Sequence, residues 1–157
     1  MIDLEPARAQ HVPAIQKLWK EFMDFHAARN DHYLRSDDGD TSFGEYVTRL
    51  LGSADACVLV AVEGTDVLGY ALGKIERYAP GFRRTTFGLI ADVAVTARAR
   101  RRGLGARFDV ALRAWFREKG IRRVQLRASA DNEVSLAFWK QRGYRPFVIT
   151  FAADLED

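Results

Sequence analysis

The chain has 157 residues and a formal net charge of +3, and 48% of its residues are hydrophobic. This length fits one domain over residues 1–157, and the hydrophobic fraction supplies a sizeable core and excludes a disordered chain. The net charge is too small to demand a nucleic-acid partner.

The composition also bears on the compartment. Cys57 is the only cysteine, so a disulfide framework is excluded and a reducing compartment is favoured. Because it lies in the apolar run ACVLVAV, we interpret it as a small core residue rather than a nucleophile. The first ten residues lack the apolar region of a signal peptide, and no apolar run approaches the length of a membrane span. We therefore expect a cytoplasmic protein without a membrane partner.

The first half of the chain predicts one strand, two helices and a β-hairpin. Apolar residues recur at helical spacing in two segments, and Ser42 with Glu45 has the spacing of a capping box for the second helix. The predicted elements are a short strand near Ile2–Leu4, a helix over 12–28, a helix beginning near Ser42, and strands over 56–62 and 67–78.

The second half predicts strands and helices in alternation. The elements are a strand over 86–96, a helix beginning near Gly103, a strand over 122–129, a short helix within 131–143 ended by Gly143, and a final strand over 144–152. Hairpins come first and a strand–helix–strand crossover follows, so we expect an α/β fold (α+β in some schemes) with a mixed sheet.

The stretch ARARRRGLGARF, residues 97–108, lies between a predicted strand and a predicted helix. The first N–H groups of a helix have no partner within it, and the helix dipole makes that end positive, so a strand running into it presents an anion site. Gly103 and Gly105 let a phosphate group approach the backbone. The spacing is neither that of dinucleotide folds nor that of P-loops. A solvated turn and a basic patch that grips nucleic acid are the alternatives.

These residues resemble the GNAT superfamily of acyl-CoA-dependent N-acyltransferases. That family's signature is Arg or Gln, two residues, Gly, one residue, then Gly or Ala, which here reads RRRGLGA after a strand of the form I-x-D-V-A-V. A second family segment is matched by Asn132, Ser135, Phe138 and Trp139, followed by RGYRPF at 142–147. The resemblance covers nearly the whole chain and implies a single GNAT domain. Its expected sheet is mostly antiparallel, with six to seven strands and a splayed parallel pair, flanked by about four helices.

The resemblance implies transfer of an acetyl group from acetyl-CoA to an amine by direct attack. It places the CoA diphosphate on the backbone amides that follow Arg100, and the pantetheine arm along the strand edge, as a form of β-augmentation. The implied cofactor-binding residues are Val93, Ala94, Val95, Arg100, Arg101, Arg102, Gly103, Leu104, Gly105, Ala106, Asn132, Ser135 and Trp139. Asn132 also has a simpler interpretation, because a residue at a helix start caps that helix.

One catalytic group departs from the family pattern. Many members have a tyrosine, as the acid for the leaving thiolate, where this chain has Trp139, and an indole N–H is not a useful acid at neutral pH. Water, Tyr78 or Tyr144 remain as alternatives.

The base must take a proton from the amine, which is mostly protonated near pH 7. We name Asp92 first, because it interrupts an apolar strand, and Glu76 second, because it shares a strand face with Lys74 and Tyr78. The alternative for Asp92 is an ion pair with an arginine, and for Glu76 an exposed strand face.

The remaining expectations concern partners. Asp37, Asp38 and Asp40 either attract a cationic amine or belong to an ordinary polar loop. The histidines show no metal-ligand spacing, so no metal is expected. The acceptor amine and the acyl-chain preference stay open, and so does the oligomeric state, although dimers are frequent in the family. A catalytically silent acyl-CoA sensor is the alternative function, and a nucleic-acid-binding module is a weaker one.

Overall fold

A computed structural model describes residues 1–156 of the chain. Its strands form one sheet in the order β1-β2-β3-β4-β5, in which neighbours pair antiparallel except for the parallel pair β4–β5. The elements are β1 (Asp3–Pro6), α1 (Val12–Ala27), α2 (Gly39–Leu51), β2 (Ala56–Glu63), β3 (Asp66–Arg77), β4 (Thr86–Val95), α3 (Leu104–Glu118), β5 (Val124–Leu126) and α4 (Glu133–Gln141).

The mixed sheet with a parallel pair and the four helices confirm the expected architecture. The expectation of six to seven strands was wrong, because the described residues form five. The predicted final strand over 144–152 is not part of the sheet. Its β-branched and aromatic residues are typical of a strand, but Pro146 has no N–H to donate to a ladder.

Helix α2 begins earlier than its predicted capping box. Asp38 occupies the N-cap position, and the Ser42 N–H donates to the Asp38 carbonyl at 3.0 Å. The hydroxyls of Ser36 and Ser42 donate to the Asp38 carboxylate at 2.9 and 3.3 Å. Ser42 is therefore a helical residue that hydrogen-bonds Asp38, and Asp38 stands at the N-cap position without a side-chain bond to a helix N–H.

One face of the sheet is covered by α1 and α2. The apolar faces of the two helices meet alternate side chains of the strands in a single buried cluster, as the periods of helix and strand require. The buried members are Ile15, Leu18, Phe43, Val47, Val58, Val60, Tyr70, Leu72 and Ala94.

Helix α3 lies on the opposite face, where glycines allow it to approach the sheet closely. A Cβ on Gly88 would stand 2.6 Å from the Phe116 ring, and one on Gly73 would stand 3.0 Å from Leu112. Phe116 and Leu112 are fully buried. Because Gly73 and Gly88 have no side chains, the side chains of Leu112 and Phe116 on α3 can occupy that space.

A β-bulge interrupts the pairing of β3 with β4. Leu72 pairs with Asp92 and Gly73 pairs with Ile90, so Ala91 is the extra residue. After one extra residue, each following side chain of the strand points to the opposite face of the sheet from the one that regular alternation would give it. Ile90 consequently shares the face of Gly73, towards α3, and Asp92 shares the face of Leu72, towards α1 and α2.

The chain divides into two compact units, Met1–Leu126 and a smaller one that begins at Arg127. The first contains the whole sheet and helices α1 to α3, and the second contains α4. The single domain over residues 1–157 stays a prediction. Within residues 1–156, no helix combines the length and the apolar character needed to cross a membrane.

Gly88→Ala tests the close contact between α3 and the sheet. The added Cβ meets the Phe116 ring, so we expect the free energy of unfolding to fall by about 1–3 kcal/mol. The measurement is chemical denaturation, with Gly52→Ala as the control because the nearest atom to its Cβ would be 3.8 Å away. Phe116→Leu in the Gly88→Ala background should recover part of the loss, and equal effects at Gly88 and Gly52 would contradict the interpretation.

Candidate active site

Strand β4 has an edge that its neighbour β5 covers only in part. The two strands pair from Gly88 to Ile90, and β4 then continues to Val95 without β5. On its other edge, β4 stays paired with β3 as far as Val95. The result is a strand end with one paired edge and one open edge.

The alternation of an antiparallel ladder decides which backbone groups face the open edge. The Thr96 N–H donates to the Leu68 carbonyl at 2.9 Å, and Ala94 lies opposite Tyr70. Hydrogen-bonded pairs alternate along such a ladder, so Ala94 bonds to β3, and the N–H and C=O groups of Val93 and Val95 point to the open edge. An extended ligand can add there as a further strand.

The turn between β4 and α3 gathers backbone donors. From Arg101 to Ala106, six consecutive N–H groups donate to no backbone carbonyl within the described part of the chain, and α3 begins at Leu104. Arg101 and Gly103 are both left-handed, with φ of 64° and 75°. Successive amides in such a turn form a concave anion-binding site, and the positive end of α3 adds to it.

The arginine side chains of this turn contact protein groups. Arg98 forms an ion pair with Asp66 at 2.9 Å, and Arg102 forms one with Glu63 at 2.8 Å. The Arg100 guanidinium lies 5.0 Å from the centre of the Phe25 ring. These contacts fix the path of the turn, while its anion-binding capacity lies in the backbone.

The same contacts disfavour the nucleic-acid alternative. Base stacking needs exposed aromatic rings near the arginines. The rings of Phe108 and Phe116 are fully buried against the sheet, and Arg98 and Arg102 already have acidic partners. Among residues 1–156, the one exposed ring beside these arginines is that of Phe25, which already contacts the Arg100 guanidinium.

Glu21, which the sequence reasoning missed, connects α1 to this turn. Its carboxylate accepts from the Ala97 N–H at 2.8 Å and from the Thr96 hydroxyl at 3.2 Å. The contact spans 76 residues, and an acidic residue on a helix carries no sequence signal of such a partner. Glu21 therefore holds the start of the turn against the helix layer.

Asp92 lies next to the open edge and faces α1 and α2. Its carboxylate accepts from the Tyr70 hydroxyl at 3.3 Å, and Tyr70 is fully buried. Burial raises the pKa of Asp92 to about 6, although the Tyr70 hydrogen bond and the positive charge of Lys74 both lower it. A carboxyl group with this pKa is ionised at neutral pH and basic enough to accept a proton.

Glu76 is engaged by a neighbouring lysine. Its carboxylate lies 3.0 Å from Lys74 Nζ, which also donates to the Tyr46 hydroxyl of α2 at 3.2 Å. Lys74 and Glu76 occupy the sheet face that carries Asp92. The carboxylate of Glu76 is thus paired with a cation, whereas that of Asp92 accepts from a neutral hydroxyl.

The acidic loop before α2 is largely tied to its own neighbours. Arg35 contacts Asp24 at 2.9 Å and Asp40 at 3.0 Å, and the Asp38 carboxylate accepts from the hydroxyls of Ser36 and Ser42. Hydrogen bonds from Ser36, from its own backbone and from Ser42 lower the pKa of Asp38. This arrangement matches the ordinary polar loop better than a free cation attractor.

Two further side chains that the sequence analysis considered as reactive groups are Tyr78 and Cys57. The Tyr78 hydroxyl accepts from the Gln125 amide, and the Tyr78 ring packs against Phe82 and Phe87. Burial raises the pKa of the Cys57 thiol to about 11, which leaves it protonated and unsuited to be a nucleophile.

The second unit contains the remaining residues of the predicted site. Asn132 is the N-cap of α4, and its Oδ1 accepts from the Ser135 N–H at 3.0 Å, so the capping interpretation is confirmed. The ring of Trp139 packs edge-on against Tyr144, with 5.3 Å between ring centres. The roles of Asn132, Ser135 and Trp139 towards a cofactor stay predictions.

Metal ligands are not grouped in the part of the chain that the structure describes. Over residues 1–156, no cluster of three or more His, Cys, Asp or Glu side chains is placed to hold a metal ion.

An open strand edge and an amide-rich turn therefore lie on either side of one connection, with a carboxylate next to the open edge. The sequence profile of the acetyltransferase (GNAT) family matches residues 14–144, and the chain belongs to this family. A search of curated proteins finds no match.

Solved structures share the fold at low sequence identity. A tetramutant of the BH1408 protein from Bacillus halodurans has a TM-score of 0.86 at 18% identity, over 98% of this chain and 99% of that one. A predicted acetyltransferase from Clostridium acetobutylicum, solved with acetyl-CoA, has a TM-score of 0.80 at 15% identity, over 98% of this chain and 96% of that one. AAC(6')-Iy, in complex with the bisubstrate analog CoA-S-monomethyl-acetylneamine, has a TM-score of 0.76 at 20% identity, over 99% of each chain.

Asp92→Asn tests the raised pKa through stability. Its folded pKa of about 6 exceeds the value of about 3.9 in an unfolded chain. The carboxyl therefore stabilises the fold below about pH 4, and this contribution is lost as the pH rises through 6. We expect Asp92→Asn to become more stable relative to the parent by on the order of 1–3 kcal/mol between pH 4 and pH 7.5, measured by denaturation.

Asp38→Asn is the control with the opposite sign. The pKa of Asp38 is lowered in the folded chain, so its contribution is present above the unfolded pKa and is lost as the pH falls. A pH dependence of stability that Asp92→Asn leaves unchanged would contradict the assignment.

Proposed function

We propose that the protein is an N-acetyltransferase that moves an acetyl group from acetyl-CoA to a primary amine by direct attack in a ternary complex. The observation that supports this most is the run of six backbone N–H groups from Arg101 to Ala106, at the positive end of α3 and beside the open edge of β4. Family membership and relatives solved with acetyl-CoA or a CoA analog agree with it.

The chain fits this cosubstrate on chemical grounds. A diphosphate accepts several hydrogen bonds, and the amides of Arg101, Arg102, Gly103, Leu104, Gly105 and Ala106 supply donors without competing acceptors. The pantetheine arm carries amide groups, which the N–H and C=O groups of Val93 and Val95 can pair in the manner of a strand. Ala94 supports this edge by pairing with β3. Arg100 supports it through the contact of its guanidinium with the Phe25 ring.

Asp92 is the proposed general base. An amine attacks only in its neutral form, so a group near the open edge of β4 must accept its proton, directly or through a water molecule. Asp92 is half-buried, is held by Tyr70, and has a pKa near neutrality. Glu76 is the second candidate, and its ion pair with Lys74 makes it the weaker one. The backbone N–H near Val93 polarises the thioester carbonyl.

The leaving thiolate needs a proton, and Trp139 is not its source. The indole N–H donates hydrogen bonds but does not ionise at neutral pH, so Trp139 is left to pack against the cosubstrate. The Tyr78 hydroxyl accepts a hydrogen bond from Gln125 and keeps its own proton, so Tyr78 stays an alternative donor together with Tyr144. Solvent water is the proposed proton donor, because a CoA thiolate is a tolerable leaving group.

A small-molecule amine is the proposed acceptor class. The fold is shared with aminoglycoside acetyltransferases, among them a 6'-N-acetyltransferase from Acinetobacter haemolyticus. The carboxylate of Asp92, on the sheet face towards α1 and α2, suits a cationic substrate. A cytoplasmic location stays an expectation.

The second candidate function is a catalytically silent acyl-CoA sensor. It is favoured by Trp139 at the position of the family's tyrosine and by the transcriptional regulator from Bacillus halodurans C-125 that shares the fold. Thiol release with a panel of amines separates the two functions, because a sensor binds CoA without turnover.

Gly103→Glu tests the diphosphate site. The new carboxylate lies within the run of amides, so charge repulsion and bulk should abolish detectable CoA binding in a calorimetric titration. Gly120→Glu is the matched control, since its φ of 76° and its open surroundings repeat those of Gly103, at the other end of α3. Unchanged binding in Gly103→Glu, or an equal loss in Gly120→Glu, would overturn the site.

Asp92→Asn tests the base. We expect kcat/KM to fall by about 10²–10⁴-fold at pH 8, with CoA affinity retained, and Glu76→Gln to lower it less. In the parent, the rate should rise as Asp92 ionises near pH 6. Tyr70→Phe removes a hydrogen bond that lowers this pKa, so the acidic inflection should move upward while that of the amine stays fixed. An inflection that does not move with Tyr70→Phe argues against Asp92.

A further inference from the structure

The connection between β3 and β4, residues 78–85, brings three arginines to one end of the sheet. Arg77 ends β3 and pairs with Thr86, the first residue of β4. Arg83 and Arg84 stand just before Thr86 in the connection. All three arginine side chains are exposed, and none has an ion-pair partner in the part of the chain that the structure describes.

A fourth arginine reaches this end from the other side of β4. The Gly88 N–H donates to the Arg123 carbonyl at 2.7 Å, and Gly88 pairs with Val124, so the residues before β5 lie beside the start of β4. Arg122 is one of them, and its exposed side chain has no ion-pair partner among residues 1–156. β3, β4 and β5 are neighbours, so two strand spacings, about 10 Å, separate Arg77 from Arg122. We define the arginine surface as Arg77, Arg83, Arg84 and Arg122.

Three acidic residues lie near this end of the sheet, on the β2 side or in an ion pair of their own. The Asp55 carbonyl accepts at 2.8 Å from a backbone N–H of β3, on the edge that faces β2. Glu118 also lies towards β2, because burial first and the charge of Glu118 second raise the pKa of the Cys57 thiol in that strand. Glu76 is paired with Lys74. The positive charge of the arginine surface, on the β4 and β5 side, is therefore left uncompensated.

An exposed aromatic ring stands beside these arginines. Phe82 is 63% exposed, and its ring stacks on Tyr78 with 5.4 Å between ring centres and an angle of 29° between the planes. Tyr78 in turn contacts the Phe87 ring of β4 at 4.5 Å. The two inner rings hold Phe82 in place, while its exposed side is open to a further planar group.

The ring and the arginines together favour a nucleic acid over an acidic protein segment. An acidic segment would use the positive charges alone, whereas a single-stranded nucleic acid also stacks its bases on aromatic rings. The bases of a double helix are already stacked on one another, so a duplex does not fit the ring. All four cations are arginines, whose planar guanidinium can hold a phosphate through two hydrogen bonds.

We propose that the arginine surface and the Phe82 ring bind a single-stranded nucleic acid, with phosphates on the guanidinium groups and one base stacked on the exposed side of Phe82. This surface is separate from the proposed diphosphate site. β4 begins at the arginine surface and ends before the amide-rich turn, and its 10 residues span about 30 Å. The proposal concerns other residues than the arginines of 97–108, and it is independent of acetyl transfer.

The test measures binding of a fluorescein-labelled oligouridylate of about 12 nucleotides to the full chain by fluorescence anisotropy, at several salt concentrations. Each phosphate that is neutralised contributes about 0.7 to the slope of log Kd against log salt, so four arginines predict a slope of about 3. Arg83→Ala combined with Arg84→Ala should weaken binding and lower the slope by about 1.4.

Lys17→Ala combined with Lys20→Ala is the matched control. Both lysines are exposed on α1, which contacts the connection at the other end of β4 through Glu21 and Ala97. The control removes the same two charges away from the arginine surface, so it should bind like the parent. An equal loss in both double variants would mean a general effect of charge and overturns the proposal.

Phe82→Ala separates stacking from charge. Loss of one stacked base should raise Kd by about 5- to 150-fold while the salt slope stays unchanged. Phe82→Trp keeps an aromatic ring and should bind like the parent. An unchanged Kd in Phe82→Ala, or displacement of the oligonucleotide by polyglutamate as readily as by its unlabelled form, assigns the surface to acidic protein segments and overturns the proposal.

CoA distinguishes this surface from the diphosphate site. Saturating CoA should leave oligonucleotide binding unchanged, and so should Gly103→Glu, which alters the far end of β4. Displacement by CoA or loss of binding in Gly103→Glu would place the oligonucleotide on the amide-rich turn. Either result, or no binding at low salt, overturns the proposal.

Discussion

The candidate site depends on the early end of the pairing between β4 and β5. A parallel pair that continued would satisfy the N–H and C=O groups of Val93 and Val95 within the sheet. Because β5 stops at Leu126, opposite Ile90, those groups remain available while β3 still holds the other edge of β4. The same strand then enters a turn whose amides also lack partners. Strand edge and turn thus present two groups of unpaired backbone donors and acceptors, at Val93 and Val95 and from Arg101 to Ala106, which the hydrogen-bonded residues 96–100 separate.

The bulge at Ala91 places a carboxylate beside the open edge. If β4 had no bulge and Ala91 paired with Leu72, regular alternation would direct Asp92 to the face covered by α3. Because of the bulge, Asp92 instead pairs with Leu72 and meets the hydroxyl of Tyr70 on the face of α1 and α2. The burial that raises the pKa of Asp92 and the hydrogen bond that moderates it both result from this exchange of faces. One inserted residue therefore sets both the position and the proton affinity of the proposed base.

The elements and the amide-rich turn could be predicted because local patterns encode them. Apolar periodicity gave α1, α3 and the central strands, and the two glycines with the preceding arginines gave the turn. The predicted start of α2 was wrong because Asp38 and Ser42, four residues apart, are both residue types that begin helices. Only the hydrogen bonds that Ser42 donates to Asp38 show that the helix starts after Asp38. The bulge, the Tyr70 contact of Asp92 and the Glu21 contact were not predictable, since each depends on register or on residues distant in sequence. The strand over 144–152 was predicted from its residue types alone, and residue types do not say which strand it would pair with.

The glycine-lined face beneath α3 has a mechanical consequence. With its 15 residues, α3 is a rigid rod of about 22 Å, and its amino-terminal end forms the wall of the amide-rich turn. Gly69, Gly73 and Gly88 set how deep this rod sits, because each lies directly under one of its large side chains. A side chain added at Gly88, near the carboxyl-terminal end of α3, would tilt the helix and displace the turn at its amino-terminal end. Substitutions of these glycines would therefore change the affinity of the proposed diphosphate site without changing any atom that the ligand contacts.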